Sequence, residues 1–287
     1  MMNSFLFMFV VFCFFAFSSC ERNFYEITQG ESKIVVEGWI EEGDVARVLL
    51  SHSIPMTRNV DSSNFMRYAI RSATVYVSDG VNTEMLALRT IRNPPRYLHG
   101  VWYVGNNIVG KTGGTYTLTV EYLSHTLTAE TTIPPSVPIT NVVYTRQNPT
   151  DTIGNLTVEF TNPADQQYFF QIATMLEGHD EVYVPSLYGN FDSESFASPD
   201  VSLQITRGIT IFPQTNIHTH FNDGDVIRVR LRTMPKKGFD FWNIWQNEII
   251  NAQNAIFPAN TSLKSNINGG IGIWCGYGQN TVRIRAE

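Results

Sequence analysis

Residues 115–122 of the chain read TYTLTVEY and alternate strictly between two classes of side chain. Threonine or glutamate occupies one set of positions, and the other set is apolar or aromatic: Tyr116, Leu118, Val120 and Tyr122. Successive side chains of a β-strand point to opposite faces, so the second set would lie together on one face. We therefore predict an antiparallel strand with one buried and one solvated face.

The same alternation extends outward from this segment, and turn-forming residues divide it into short runs. Gly113-Gly114 is one of these turn signals, and Asp79-Gly80 is another. Further strands are predicted at residues 33–40, 45–51, 73–79, 84–90, 97–104 and 125–132. About seven short strands without an amphipathic helix predict an immunoglobulin-like β-sandwich.

A proline-rich segment, IPPSVPI at residues 133–139, follows the last of these strands. Proline lacks a backbone N–H and stiffens the chain, so this segment is expected to be extended, accessible and outside any sheet. We place a domain boundary there. The sandwich domain then covers residues 33–134, and a second β-rich domain covers residues 135–287.

The second domain is predicted to contain one helix among its strands. Trp242, Trp245 and Ile249 recur at helical spacing and predict a helix over about residues 239–255. Strands are predicted at residues 141–146, 156–161, 168–174, 202–206, 209–212 and 226–234. The expected fold class is therefore mainly β, with a sandwich followed by a β-rich domain that carries one helix.

The first twenty residues predict export and attachment to a membrane. Thirteen apolar residues occupy positions 5–17, and two serines and Cys20 follow them. A helix of that length spans about 20 Å, less than the bilayer core of about 30 Å, so residues 1–19 are interpreted as a secretory signal. Small residues before a cysteine resemble the bacterial lipobox. We therefore expect lipid on Cys20, a tether at residues 20–32, and a location in the cell envelope at the outer membrane, on its periplasmic or surface side.

Charge and cysteine content exclude two classes of function. The net charge is −6, whereas nucleic-acid binding needs clustered Lys and Arg, so no nucleic-acid partner is expected. Of the three cysteines, Cys13 lies in the signal and Cys20 is assigned to lipid. Only Cys275 remains, which excludes an intramolecular disulfide and a cysteine metal cluster, and we predict a buried, inert thiol.

Six phrases, in their order and spacing, carry a resemblance to a known family. They are VVEGWI at 35–40, SHSIP at 51–55, ATVYVSDG at 73–80, YTLTVEY with the later TIP at 132–134, GFDFWNIW at 238–245 and SNINGGIGIW at 265–274. Together they resemble a lipoprotein family of Bacteroidota, the domain of unknown function 4249, over essentially the whole mature chain. The resemblance implies an accessory lipoprotein encoded beside TonB-dependent outer-membrane transporters, and it implies no catalytic residue.

His218 and His220 are the strongest candidates for metal ligands. Residues i and i+2 of a strand point to the same side, and Asp223 or Asp225 could supply a third ligand. The alternative is the polar end of a strand that enters a turn at residues 222–224. Because only two histidines are involved, we expect no bound metal and no cofactor.

Arg228, Arg230 and Arg232 alternate with apolar residues. A strand would place the three guanidinium groups on one face, where they could bind carboxylate or sulfate groups. The alternative is that the row forms an ordinary solvated face.

A segment without a clear pattern, residues 177–199, is predicted to be a long loop that is either functional or mobile. Its aromatic side chains could stack on sugar rings or contact a partner, or they could pack beneath the loop as a small additional core. The residues concerned are Tyr183, Tyr188, Phe191 and Phe196.

The sequence contains no nucleophile elbow, no zinc-protease helix and no Ser-His-Asp order typical of a hydrolase. We therefore expect a non-catalytic envelope lipoprotein that helps a TonB-dependent transporter to bind or take up a nutrient such as a glycan or a peptide. One alternative is a secreted hydrolase with an unrecognised site in the second domain. The other is a surface adhesin or scaffold.

Overall fold

The computed structural model describes residues 32–53, 67–90, 100–180, 182–208, 219–252 and 263–287. Cys20, His218 and the strand predicted at 209–212 lie outside these ranges. Within them the protein is mainly β, as the sequence predicts. None of the described helices has the length and apolarity needed to cross a membrane.

The described residues form sixteen strands, one α-helix and a short 3₁₀ helix at Ser193–Ser195. The strands of the first half are β1 (Ile34–Glu41), β2 (Val45–His52), β3 (Thr74–Ser78), β4 (Thr83–Met85), β5 (Ala87–Thr90), β6 (Val101–Val109), β7 (Thr115–Tyr122) and β8 (His125–Thr132). The remaining elements are β9 (Ile139–Arg146), β10 (Ile153–Thr161), β11 (Phe169–Leu176), β12 (Val184–Asp192), β13 (Asp200–Ile205), β14 (Phe221–Asn222), β15 (Val226–Met234), α1 (Lys236–Ala252) and β16 (Ile271–Arg285).

One long sheet organises the fold, with strand order β12-β11-β15-β16-β1-β2-β6-β5. β16 supplies its centre. The first part of β16 pairs in parallel with β1, from Val35 with Ile271 to Glu41 with Tyr277. The second part pairs antiparallel with β15. The last strand of the chain therefore joins strands from both predicted domains into a single sheet.

Two smaller sheets pack on one face of the long sheet and enclose two hydrophobic cores. The sheet β4-β3-β7-β8 covers β1 and β2, and its core includes Val75, Leu118 and Val48. A second sheet, formed by β9, β10, β13 and β14, covers β11 and β15. Trp274 of β16 enters the first core, and Val282 and Ile284 contact the second. All three are even-numbered positions of one strand, so both cores lie on the same face of the long sheet.

Residues 115–122 form β7 as predicted, paired antiparallel with β3 and β8. Tyr116, Leu118 and Val120 are buried, whereas Thr115 and Thr117 are exposed. The predictions for β8 and β15 also match residue for residue. The helix begins at Lys236, three residues earlier than expected. Residues 253–255 of that prediction lie outside the described part of the chain.

The sequence analysis predicted no strand over Ile271–Arg285, where β16 lies. Gly272, Gly276 and Gly278 lie on the side of β16 that faces the cores, together with the fully buried Trp274. A Cβ atom at Gly276 would come within 2.7 Å of the carbonyl oxygen of Thr132. The glycines therefore allow another backbone to approach the strand closely, which any side chain would prevent.

The backbone that approaches is the proline-rich segment. Ile133 is 0% exposed and Val137 is 2% exposed. The Thr233 hydroxyl donates a hydrogen bond of 2.8 Å to the Pro135 carbonyl. The expectation of an accessible linker is therefore wrong, since this segment packs against β15 and β16. The boundary between the two cores lies near residue 134, but both cores share the long sheet. The division of the chain into two independent domains stays a prediction.

Candidate functional site

The face of the long sheet opposite the two cores carries α1 and most of the candidate site. The helix packs on this face through an apolar cluster, whose members are Phe169, Met234, Phe239, Phe241, Trp242, Ile273, Cys275, Tyr277 and Trp39. Gly238, in the first turn, has no side chain and so leaves room for the Cys275 sulfur. The helix is therefore held close to the sheet.

Cys275 lies under this helix and is 1% exposed. Burial raises the pKa of its thiol to about 12, because a thiolate would lose its hydration. The thiol therefore stays protonated and unreactive at neutral pH, in agreement with the prediction of an inert cysteine.

The three arginines of β15 do share one face, but they are paired with carboxylates. Arg230 and Arg232 both contact Glu41 of β1, at 2.9 Å and 2.5 Å. The side chain of Glu41 is only 3% exposed, and those of the two arginines are 16% and 14% exposed. Arg228 is exposed and contacts Glu177 at 2.6 Å. Two members of the row therefore belong to a buried ion triad rather than to a solvated face.

Aromatic rings flank this ion triad. The guanidinium carbon of Arg230 lies 3.6 Å from the ring centre of Tyr183, and that of Arg232 lies 4.8 Å from Tyr277. The Tyr277 hydroxyl accepts a hydrogen bond of 2.7 Å from the indole nitrogen of Trp242. Burial raises the pKa of Tyr277 well above its usual value, so the phenol stays neutral. Tyr183 thus contacts an arginine of its own chain.

A bulge in β12 interrupts the pairing at the edge of the long sheet. Pro185 pairs with Ala173 and Asn190 pairs with Gln171, so residues 186–189 lie opposite Ile172 alone. The prediction of a patternless loop at 177–199 is therefore wrong. The segment contains a strand whose alternation is broken by the bulge, and bulges of this kind often re-aim side chains beside functional sites.

Tyr188 occupies the bulge with a φ of 55°, in the left-handed region that is uncommon for a residue with a side chain. It is 67% exposed. The next residue, Gly189, has no space for a side chain, since a Cβ there would come within 2.8 Å of the Ile172 carbonyl oxygen. A left-handed non-glycine residue costs about 1–3 kcal/mol, and such strain clusters at functional sites.

A cleft lies between this bulge and α1. Its lining consists of Gln171, Pro185, Ser186, Leu187, Asn190, Trp242, Trp245 and Gln246. The amide nitrogen of Gln171 donates to the Asn190 oxygen at 3.0 Å, and the Asn190 nitrogen donates to the Gln246 oxygen at 2.8 Å. Arg232 donates to the Gln171 oxygen at 3.3 Å. A continuous chain of polar groups therefore connects the cleft to the buried ion triad.

The described lining of the cleft is uncharged and combines amide and hydroxyl groups with aromatic and aliphatic side chains. Ser186 is 2% exposed, and its hydroxyl oxygen has no hydrogen-bond partner among the described residues. The rings of Trp242 and Trp245 lie 5.4 Å apart at an angle of 85°. This combination suits the binding of a neutral molecule with hydroxyl or amide groups.

Phe191 and Phe196 lie away from the cleft. Both pack against the second core, and their ring centres lie 6.3 Å and 6.0 Å from that of Phe160. The sequence left two alternatives open, contact with a sugar or partner and packing beneath the segment. These two phenylalanines pack beneath the segment. Among the four aromatic residues proposed for contact, Tyr188 is the exposed one.

The residues proposed as metal ligands are engaged elsewhere or lie outside the described ranges. Asp223 pairs with Arg146 at 2.8 Å, and Asp225 accepts a hydrogen bond from the Asn222 backbone at 2.8 Å. His220 lies beside Thr219, and its partner His218 is not described. Within the described ranges, no three His, Cys, Asp or Glu side chains are grouped to hold a metal ion. The expected absence of a metal stays a prediction.

Glu37 of β1 is a further titratable group on the outer face. In the sheet it lies between Leu49 of β2 and Ile273 of β16, both of which are buried. Its carboxylate reaches the surface, but the surrounding protein displaces much of its hydration and raises its pKa to about 7. Its carboxyl group therefore holds a proton more readily than an ordinary glutamate does.

The sequence analysis missed Glu41, Gln171, Asn190 and Gln246. A signal was present for two of them. Gln171 interrupts the apolar run FFQIATML, and Glu41 ends the apolar strand IVVEGWIE. A polar side chain within a buried strand needs a partner, so such positions indicate a polar network.

The comparisons with known proteins identify a family but no activity. A search of curated proteins found no match. The model of the family described as Domain of unknown function (DUF4249) matches residues 21–283, which is most of the chain. The match confirms the family expected from the resemblance, and the chain belongs to the DUF4249 family.

Proposed function

We propose that this protein is a non-catalytic, lipid-anchored component of the outer membrane that helps a TonB-dependent transporter to capture a nutrient. The apolar segment before Cys20 supports the anchor, and the resemblance of the six sequence phrases to lipoproteins encoded beside TonB-dependent transporters supports the role. The observation that carries the proposal is the strained, exposed Tyr188 beside a polar cleft.

The geometry of the bulge suits contact with a partner. Tyr188 combines a large apolar ring with a hydroxyl group, the side-chain type most enriched in binding hot spots together with Trp and Arg. Asn190, two residues further along β12, is hydrogen-bonded both to β11 and to α1. The exposed ring therefore projects from a fixed backbone, which lowers the entropy lost on association.

Site-specific photo-crosslinking from native membranes tests this role. A benzoylphenylalanine residue in place of Tyr188 should crosslink to an outer-membrane transporter. Leu123 is a matched control, because it is 85% exposed and has a φ of 53° in the β7–β8 turn. A transporter captured equally from both positions, or from neither, would contradict a role for the bulge.

The anchor has a separate test. Wild-type protein should enter the detergent phase and incorporate labelled palmitate, whereas Cys20→Ala should stay uncut or be released, and should incorporate no palmitate. Labelling that persists in the variant would exclude lipid on Cys20.

A further inference from the structure

The described residues that line the cleft between β12 and α1 offer hydrogen-bonding groups, and none of them carries a formal charge. Gln171, Asn190 and Gln246 supply amides, and Ser186 supplies a hydroxyl. Arg232, which donates to Gln171, is itself paired with Glu41 at 2.5 Å. A ligand in this cleft would therefore meet neutral donors and acceptors rather than a free charge.

The hydrogen bonds within the cleft determine what remains for a ligand. Because the Gln246 oxygen accepts from Asn190, the Gln246 nitrogen faces away from that bond with two N–H donors. The Ser186 hydroxyl both donates and accepts, and it has no partner within the described part of the chain. A sugar hydroxyl can accept from the amide and donate to the serine, and the described lining has no cation to favour a carboxylate over it.

Two indole rings complete the cleft. Trp242 is held by its hydrogen bond to Tyr277 at 2.7 Å. Trp245 stands almost perpendicular to it and is half-buried. An indole offers a rigid apolar surface that loses little entropy on binding, and the C–H face of a sugar ring is of matching size and polarity.

The size of the cleft limits how much of a ligand can enter. Its cavity volume is about 30 Å³, and a cavity of about 10–15 Å³ already holds one water molecule, so the cleft has room for about one or two groups of that size. One substituent of a sugar ring can enter, and the rest of the molecule must lie outside, across Trp245. This geometry suits an oligosaccharide, whose further units would extend over the bulge.

We propose that the cleft binds a neutral oligosaccharide through Gln246, Ser186 and Trp245. This inference rests on the proposed function and deepens it, since it names the class of nutrient captured. The remaining contacts, around Tyr188, would belong to the outer sugar units or to the transporter.

Calorimetric titration of the purified full chain in detergent tests the proposal without a transporter. The probes are maltotetraose, cellotetraose, xylotetraose and mannotetraose, with tetragalacturonate and trialanine as charged and peptide comparisons. Binding of at least one neutral tetrasaccharide is expected. Gln246→Ala and Trp245→Ala should each weaken it by about tenfold or more, which corresponds to about 1.4 kcal/mol.

Matched controls separate the cleft from a general effect. Gln204 is exposed on β13 and Trp102 is half-buried on β6, so Gln204→Ala and Trp102→Ala should leave the affinity unchanged. Circular dichroism verifies the fold of each variant. If Trp245→Ala does not fold, Gln246→Ala decides alone, because its side chain lies on the helix surface.

The proposal is overturned if no neutral tetrasaccharide binds, if tetragalacturonate or trialanine binds more tightly, or if the cleft variants bind as the wild type does. Such a result would leave the crosslink from Tyr188 as an independent test of the transporter role. Conversely, sugar binding without a crosslinked transporter would support the cleft and contradict that partner.

Discussion

Replacement of Glu41 by glutamine tests whether the buried ion triad stabilises the fold. Glu41→Gln keeps the size of the side chain and one oxygen but removes its charge. The variant leaves Arg230 and Arg232, whose side chains are 16% and 14% exposed, without their shared carboxylate. Breaking a buried ion pair from one side costs about 3–5 kcal/mol, because the remaining charge is desolvated and unpaired.

The structure indicates the lower part of that range for Glu41→Gln. The glutamine oxygen can still accept from one arginine, and Arg230 keeps its contacts with Thr281 at 3.2 Å and with the Tyr183 ring. We therefore expect the free energy of unfolding to fall by about 3 kcal/mol. A domain of ordinary stability has about 5–15 kcal/mol, so the loss should be easily measured by urea denaturation followed by tryptophan fluorescence.

Glu177→Gln provides the matched control. Glu177 also contacts two arginines, Arg228 at 2.6 Å and Arg283 at 2.9 Å, but on the exposed part of the same sheet. Solvent and salt screen such pairs, so this variant should lose much less stability. A Glu41→Gln variant that loses no more than Glu177→Gln would refute the reasoning. A double variant with Arg232→Met should recover part of the loss, since it removes the unpaired charge.

Four further outcomes are expected. Hydrogen bonds from two arginines lower the pKa of Glu177 from 4.5 to about 2. The stability that this carboxylate contributes is therefore present above pH 4.5 and is lost as the pH falls towards 2. Denaturation at stepped pH should show that Glu177→Gln loses less stability on acidification than the wild type does. The pH dependence expected for Glu37 has the opposite sign, because its pKa is raised to about 7. The stability that it contributes is present below pH 4.5 and is lost as the pH rises to 7. An NMR titration that places the pKa of this carboxyl group near 4.5 would contradict the assignment. Gly276→Ala should lower the melting temperature, because its Cβ would come within 2.7 Å of the Thr132 carbonyl oxygen, and an unchanged transition would show that the two backbones can separate freely. Residues 133–139 should resist limited proteolysis of the native protein, and early cleavage there would mean that the segment leaves β16 readily.

The strands that the sequence predicted correctly are those whose two faces meet different surroundings. In β7, β8 and β15 one face enters a core and the other is polar, so the pattern of period two is visible in the local sequence. β12 and the first part of β16 lack this pattern for different reasons. The bulge at residues 186–189 shifts the alternation of β12, whereas residues 272–278 of β16 are buried on both faces and carry glycine where another backbone approaches. Residues 281–285 of β16 do alternate, and the sequence analysis did not recognise them as a strand.

The candidate site was predicted only in part. The sequence placed the arginine row on one face of a strand, and Tyr188 in a segment that could make contacts. It did not reveal that Glu41 lies beside Arg230 and Arg232, since 189 and 191 residues separate them along the chain. Nor did it indicate that Gln171 and Asn190 would join Gln246 of the helix in one hydrogen-bonded chain.

The sequence by itself determined the class of fold, the family and most strand positions, because these depend on local alternation of side chains and on short phrases in a constant order. Tertiary structure decided which carboxylate neutralises the arginines, which segment covers β16 and where a polar cleft forms. These features depend on the pairing of β16 with both β1 and β15, and the register of strands so distant in sequence is set by burial of whole faces rather than by any local pattern.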